Sequence, residues 1–148
     1  MIPISSKIRK ITALLALVAQ PVVGEYVSVQ VIRVIDGDTI VVAAPWVPDP
    51  LKKEISLRLF GVDTPEKGFR AKCEQESILA QSATDYVTSK ISTAKEIKAE
   101  LIDWDKYSGR ILASVQVDGI DLRQQLLAQH YAREYHGGAK QSWCEHYH

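Results

Sequence analysis

The sequence predicts a single mainly β domain with helices packed against it, of the α+β class, and three features of the residue order predict it. Runs of alternating apolar and polar residues recur in two groups, on either side of a central segment with helical spacing. Asp36-Gly37 and Asp118-Gly119 each fall between two such runs, where a tight turn joins antiparallel strands. A shorter helical segment follows the last turn, so the order is strands, helix, strands, helix. That order suits a small antiparallel barrel with helices against it. At 148 residues and 46% hydrophobic content, the chain can bury one core without a metal or disulfide to hold it.

At the amino end, Lys7, Arg9 and Lys10 precede the apolar run Ile11-Thr12-Ala13-Leu14-Leu15-Ala16-Leu17-Val18-Ala19, and Pro21 and Gly24 follow. A basic stretch, a short apolar run and small residues are the layout of a secretory signal. The run is shorter than the roughly 20 residues that span a bilayer. Residues 1–24 are therefore read as a signal and 25–148 as the domain, secreted or periplasmic, with an uncleaved anchor as the alternative. No membrane association is expected beyond that segment.

Within residues 26 to 35, Val27, Val29 and Val31 alternate with Ser28 and Gln30, and Thr39 to Val42 supplies the second strand of a hairpin. Residues 44 to 53 carry Pro45, Pro48 and Pro50 around Trp46 and read as a loop, with Trp46 covering an edge of the core. Ile55, Leu57 and Leu59 share one parity and Glu54, Ser56 and Arg58 the other, so Arg58 leaves this strand on its polar side. Ile78, Leu79, Ala83, Tyr86, Val87 and Ile91 recur at helical spacing and place a helix over roughly residues 73 to 91. Alternation returns from 95 to 102, residues 103 to 109 form a polar turn, and Ile111, Ala113, Val115 and Val117 mark one face of a strand over 110 to 117. Asp121 with Gln124 resembles a capping pair before a short helix with Leu122, Leu126 and Leu127.

Formal net charge is zero, but three basic residues precede every acidic one. From Glu25 onward, 15 of the 18 basic residues face all 18 acidic ones, a balance of −3. That excludes nucleic-acid binding by overall charge and leaves local clusters to do it. The densest is the segment Arg58 to Glu66. Gly61 frees the backbone to turn, Pro65 fixes a torsion and biases Thr64 toward an extended shape, and Asp63, Thr64 and Glu66 share a stiff loop. Carboxylate and carbonyl oxygens suit a hard divalent cation, and a guanidinium suits a phosphate. Taken alone, the loop fits equally an Asp/Thr turn with a surface ion pair.

Three segments carry a resemblance: Val34-Ile35-Asp36-Gly37-Asp38-Thr39, then Arg58 through Glu66, then Asp105-Lys106-Tyr107-Ser108-Gly109-Arg110. Together they resemble the staphylococcal-nuclease (thermonuclease) family across essentially the whole mature chain. The resemblance implies an OB-fold, a five-stranded barrel packed with two to three helices, that hydrolyses DNA and RNA phosphodiesters with Ca2+. It implies Asp38 and Asp63 as carboxylate ligands of the ion, with the Thr64 carbonyl as a third. It implies Glu66 as general base, Arg58 and Arg110 on the scissile phosphate, and Lys106 and Tyr107 at a neighbouring phosphate. Tyr135 takes the place of a substrate-stacking tyrosine, with a structural role equally open. Two features depart from the family: an extra residue before Arg110, and an acidic rather than basic mature chain.

Beside the secreted calcium-dependent nuclease stand a non-catalytic OB-fold nucleic-acid-binding protein and a structural domain with an acidic loop; the last accounts for neither arginine. The nuclease reading implies a monomer with nucleic-acid substrates and no stable protein partner. Asp36 to Thr39 opens like an EF-hand loop but has Ile40 at a ligand position and is rejected. Cys144, His146 and His148 with His136 lack the spacing of a tetrahedral metal site. Cys73 and Cys144 are the only cysteines, and in an oxidising compartment they are expected to form a disulfide.

Overall fold

The computed structural model describes residues 24–105 and 109–144. Residues 1–23, which hold all but the last residue of the expected signal, and Lys106, Tyr107, His146 and His148 lie outside the described residues. Described strands are β1 (Val27–Ser28), β2 (Val31–Asp36), β3 (Thr39–Ala43), β4 (Glu54–Leu59), β5 (Val62–Asp63), β6 (Ile97–Asp105), β7 (Arg110–Val117), β8 (Ile120–Asp121) and β9 (Arg133–Glu134). The helices are α1 (Glu74–Thr93) and α2 (Leu122–Ala128), with a 3-10 turn at Gly68–Arg70. Among the described residues no helix is long and apolar enough to cross a membrane.

The ladders run β1-β6-β7-β4-β3-β2, with β8 on β7 and a separate β5-β9 pair. At the two ends of that path, β1 and β2 do not pair with each other, yet they are consecutive stretches of chain. Only Val29 and Gln30 separate them; the Val29 amide donates to the Ile97 carbonyl at 2.9 Å, and the Gln30 carbonyl accepts from Ala43 at 2.9 Å. One bent strand thus borders both β6 and β3, and with β4 and β7 it makes the five-stranded OB-like arrangement with two helices. One pair corrects the antiparallel expectation: β4 and β7 run parallel, Leu57 opposite Ile111 and Arg58 opposite Leu112. A parallel pair needs a long crossover, and α1 with β6 supplies it.

Ile40, Val42, Leu57, Leu59, Val87, Ala113, Val115, Leu122 and Leu126 meet in the core. Cys73 caps α1, its sulfur accepting from the Glu76 amide, and Asp121 caps α2 by accepting from the Arg123 amide. The buried face of α1 is Glu76, Ala80, Ala83, Thr84 and Val87. Ile78, expected inside, is exposed because it lies two residues, about 200°, from Glu76 on the helix wheel. Trp46 is 66% exposed and does not cover the core. Val27, at the short edge strand, is exposed as well. Residues 103 to 105, expected in a turn, extend β6, because a bulge between Leu101 and Asp103 resets the register and pairs Asp105 with Arg110.

Candidate phosphate and cation site

Asp38 stands at the tip of the β2–β3 hairpin, whose two-residue turn is Gly37-Asp38. Gly37 packs closely: a Cβ there would lie 3.0 Å from the Ala83 Cβ and 3.3 Å from the Thr64 side chain, tight enough that those neighbours would have to give. This contact sets the hairpin tip against both α1 and the acidic loop. Thr39 pairs with Arg58 across β3 and β4, and Arg58 pairs with Leu112 across β4 and β7. Residues 110 and 112 share a strand parity, so Arg58 and Arg110 rise from the same face of the sheet.

The side chains connect in a chain of contacts. Arg110 Nη1 donates to Thr39 Oγ1 at 3.5 Å, and Thr39 Oγ1 donates to Asp38 Oδ1 at 2.8 Å. Arg58 Nε lies 3.8 Å from Asp38 Oδ2. Arg110 Nη2 also pairs with Asp105 Oδ2 at 3.1 Å, so the arginine that begins β7 is held by the residue opposite it. Arg110 enters its strand in register opposite Asp105, with Gly109 in the left-handed region at φ +65°. Burial, reinforced by the charge and hydrogen bond of Asp36, pushes the Asp38 carboxyl up to about 6, while Arg58 and Thr39 pull it down. Asp38 is a buried acid with less compensation than its charge calls for.

Asp63 ends β5, opposite Arg133 on β9. Gly61 makes the preceding turn at φ +78°, as its place in the sequence predicts. Asp63 and Thr64 are buried, and Glu66 is half-buried. Glu76, which sequence reasoning missed, holds the loop: its carboxylate accepts from the Glu66 amide at 3.1 Å and the Lys72 amide at 2.7 Å. Both Asp63 oxygens have donors from the carboxyl-terminal segment, Lys140 Nζ at 2.8 Å and Trp143 Nε1 at 3.1 Å. No residue spacing signals those contacts, since the segment reaches the loop through the disulfide Cys73–Cys144. That disulfide agrees with the expectation from the cysteine count.

Two depressions divide these residues. A cavity of about 380 Å³ is lined by Arg58, Phe60, Trp104, Leu112, Tyr135 and His136 among others. Asp63, Thr64 and Glu66 line a cleft of about 60 Å³ with Lys140 and Trp143. Arg58 and Tyr135 thus share one opening, Arg110 joins them through Asp105, and Glu66 faces a different one. Among the described residues no three His, Cys, Asp or Glu side chains cluster as a metal site. Asp38 on the hairpin and Asp63 on the loop after β5 are buried carboxylates, and oxygen donors are the chemistry a hard cation takes, such an ion completing its shell with water.

The family model described as Staphylococcal nuclease homologue matches residues 56–147. That span includes Arg58, Asp63, Thr64, Glu66 and Arg110, and begins after Asp38. No match is found among curated proteins. With more than half of its length matched, and with a mixed β sheet and two helices in an OB-like arrangement, the chain belongs to the staphylococcal nuclease homologue family.

Proposed function

We propose that the protein is an exported, calcium-dependent nuclease that hydrolyses phosphodiester bonds of DNA and RNA by attack of water. The observation that carries this reading is the run of contacts from Arg110 through Thr39 and Asp38 to Arg58, which gathers two guanidiniums and a carboxylate at one end of the barrel. Attack on a phosphodiester builds charge on its non-bridging oxygens, and planar N–H forks aimed there beforehand lower the barrier. In this reading Arg58 and Arg110 bind those oxygens, and Glu66 takes a proton from the attacking water. Asp38, Asp63 and the Thr64 carbonyl would hold the calcium ion, which when bound supplies positive charge at the phosphate. The aromatic-lined cavity beside Arg58 has a volume suited to a nucleotide, with Tyr135 at its wall. In this reading Lys106 and Tyr107, as the resemblance implies, would serve a neighbouring phosphate. Near the acidic loop, Phe69 is 95% exposed and flanked by Lys67, Arg70 and Lys72, offering a stacking face and charge to a single strand. Export is supported by the disulfide, a bond suited to an oxidising compartment.

One observation favours a second reading, a non-catalytic nucleic-acid-binding barrel: Asp63 is engaged by Lys140 and Trp143, and Glu66 faces a separate cleft. Arg58→Lys and Arg110→Lys separate the two. Lysine keeps the charge and loses the fork, so for a nuclease each should lower hydrolysis of single-stranded DNA by about 100-fold, the typical value of an oxyanion donor. Lys106→Ala should weaken oligonucleotide binding while sparing more of the turnover. Wild-type protein that binds oligonucleotide in calcium and cuts neither DNA nor RNA would establish the binding module instead.

A further inference from the structure

Resting on the cation site of that reading, we propose that Lys140 is a built-in occupant of the site, which neutralises Asp63 when no divalent ion is present and thereby sets how tightly such an ion is held. Lys140 Nζ lies 2.8 Å from Asp63 Oδ1, and the Trp143 indole N–H donates to Asp63 Oδ2 at 3.1 Å. The two differ in what they mean for an incoming cation. An indole N–H can stay on one oxygen while the other ligates an ion. An ammonium on a carboxylate oxygen repels a divalent ion and has to leave. The Lys140 side chain is 40% exposed against 7% for Asp63, so the ammonium reaches a buried carboxylate from the solvent side and can be withdrawn without opening the core.

The segment that carries Lys140 is fastened in three ways. Cys144 is bonded to Cys73 at the start of α1. Arg133, register partner of Asp63, donates from Nη1 to the Ser142 carbonyl at 2.7 Å. The same guanidinium stacks 3.8 Å from the centre of the Trp143 ring. Residues 140 to 144 therefore form a short strap across the acidic loop, walling the cleft that contains Asp63, Thr64 and Glu66. Fastening at Cys144 keeps Lys140 beside Asp63 at high effective concentration, so an ion competes with a tethered cation rather than with a free one. A purely structural ion pair makes the opposite prediction: removing Lys140 would leave a buried carboxylate short of a partner and bring no gain for a divalent ion.

Direct calcium binding by titration calorimetry, without nucleic acid, distinguishes these outcomes. Lys140→Met should bind calcium roughly tenfold more tightly than wild type, a factor equivalent to about 1.4 kcal/mol. Lys140→Arg, which restores the charge, should return to wild-type affinity. Equal or weaker calcium binding by folded Lys140→Met overturns this inference and leaves the proposed nuclease untouched, whereas no calcium binding by any folded form overturns both. Where Lys140→Met fails to fold, Lys140→Gln decides the matter, because it removes the charge and keeps a polar side chain: tighter calcium binding supports the built-in occupant, and equal or weaker binding overturns it.

Discussion

Replacing Glu76 tests whether the acidic loop is held from helix α1. Its side chain is 4% exposed and receives two loop amides, Glu66 at 3.1 Å and Lys72 at 2.7 Å. A hydrogen bond to a charged acceptor contributes about 1.5 to 3 kcal/mol, and removing the acceptor strands the donors. An acid in the first turn of a helix adds about 0.3 to 1 kcal/mol through the helix dipole. Glu76→Ala should therefore cost about 4 kcal/mol, and Glu76→Gln, which keeps the volume and one acceptor oxygen, about 2 kcal/mol. Urea unfolding of the purified protein in calcium-free buffer measures both. Since the anchored amide is that of Glu66, Glu76→Gln should also lower kcat more than it raises KM. If Glu76→Ala lies within about 1 kcal/mol of wild type, the clamp does not hold the loop and the argument fails.

Asp38 gives a pH signature in chelator. Its native value of about 6 exceeds its ordinary 3.8, so the folded state binds this proton more tightly than the unfolded chain. The resulting stabilisation is complete below about pH 4 and is lost as pH rises through about 6, amounting to about 3 kcal/mol in full. The difference in unfolding free energy between wild type and Asp38→Asn should fall by about that amount from pH 4 to pH 7; a flat difference contradicts it. Thiol titration of the denatured, unreduced protein should find no reactive thiol. Reducing the Cys73–Cys144 bond, which spans 71 residues, should lower stability by about 4 kcal/mol on the chain-entropy estimate.

Strand parity was enough to place Arg58 and Arg110 on their strands. Alternation through Leu57 and Leu59 sent Arg58 to the opposite face, and Arg110 opened a strand whose alternation ran unbroken to Val117. Gly61 and the Asp118-Gly119 turn were equally legible, because their positive φ values are written into residue type. The parallel pairing of β4 with β7 was not, since strands joined through α1 and β6 leave no local signal of direction. The bulge at Leu101–Asp103 likewise depends on the partner strand, and so the polar run 103 to 105 read as a turn. On α1, small residues Ala80 and Ala83 mark the buried face while Ile78 points outward, which misleads any count of large apolar positions. Glu76, Lys140 and Trp143 are single residues whose roles arise from tertiary contact alone. The sequence separation of Asp63 from Lys140 and Trp143 shows how little spacing can say about them.

The most direct test of the central claim is hydrolysis of single-stranded DNA and of RNA by wild type and Glu66→Gln, in calcium and in chelator, with nucleotide binding followed in parallel. The amide keeps the size of the side chain and cannot take up the proton of the attacking water. Wild type should cut both substrates in calcium, stop in chelator and recover when calcium is restored, while Glu66→Gln should bind nucleotide and cut neither. Cleavage by wild type that persists in chelator, or a Glu66→Gln variant as fast as wild type, would contradict the account.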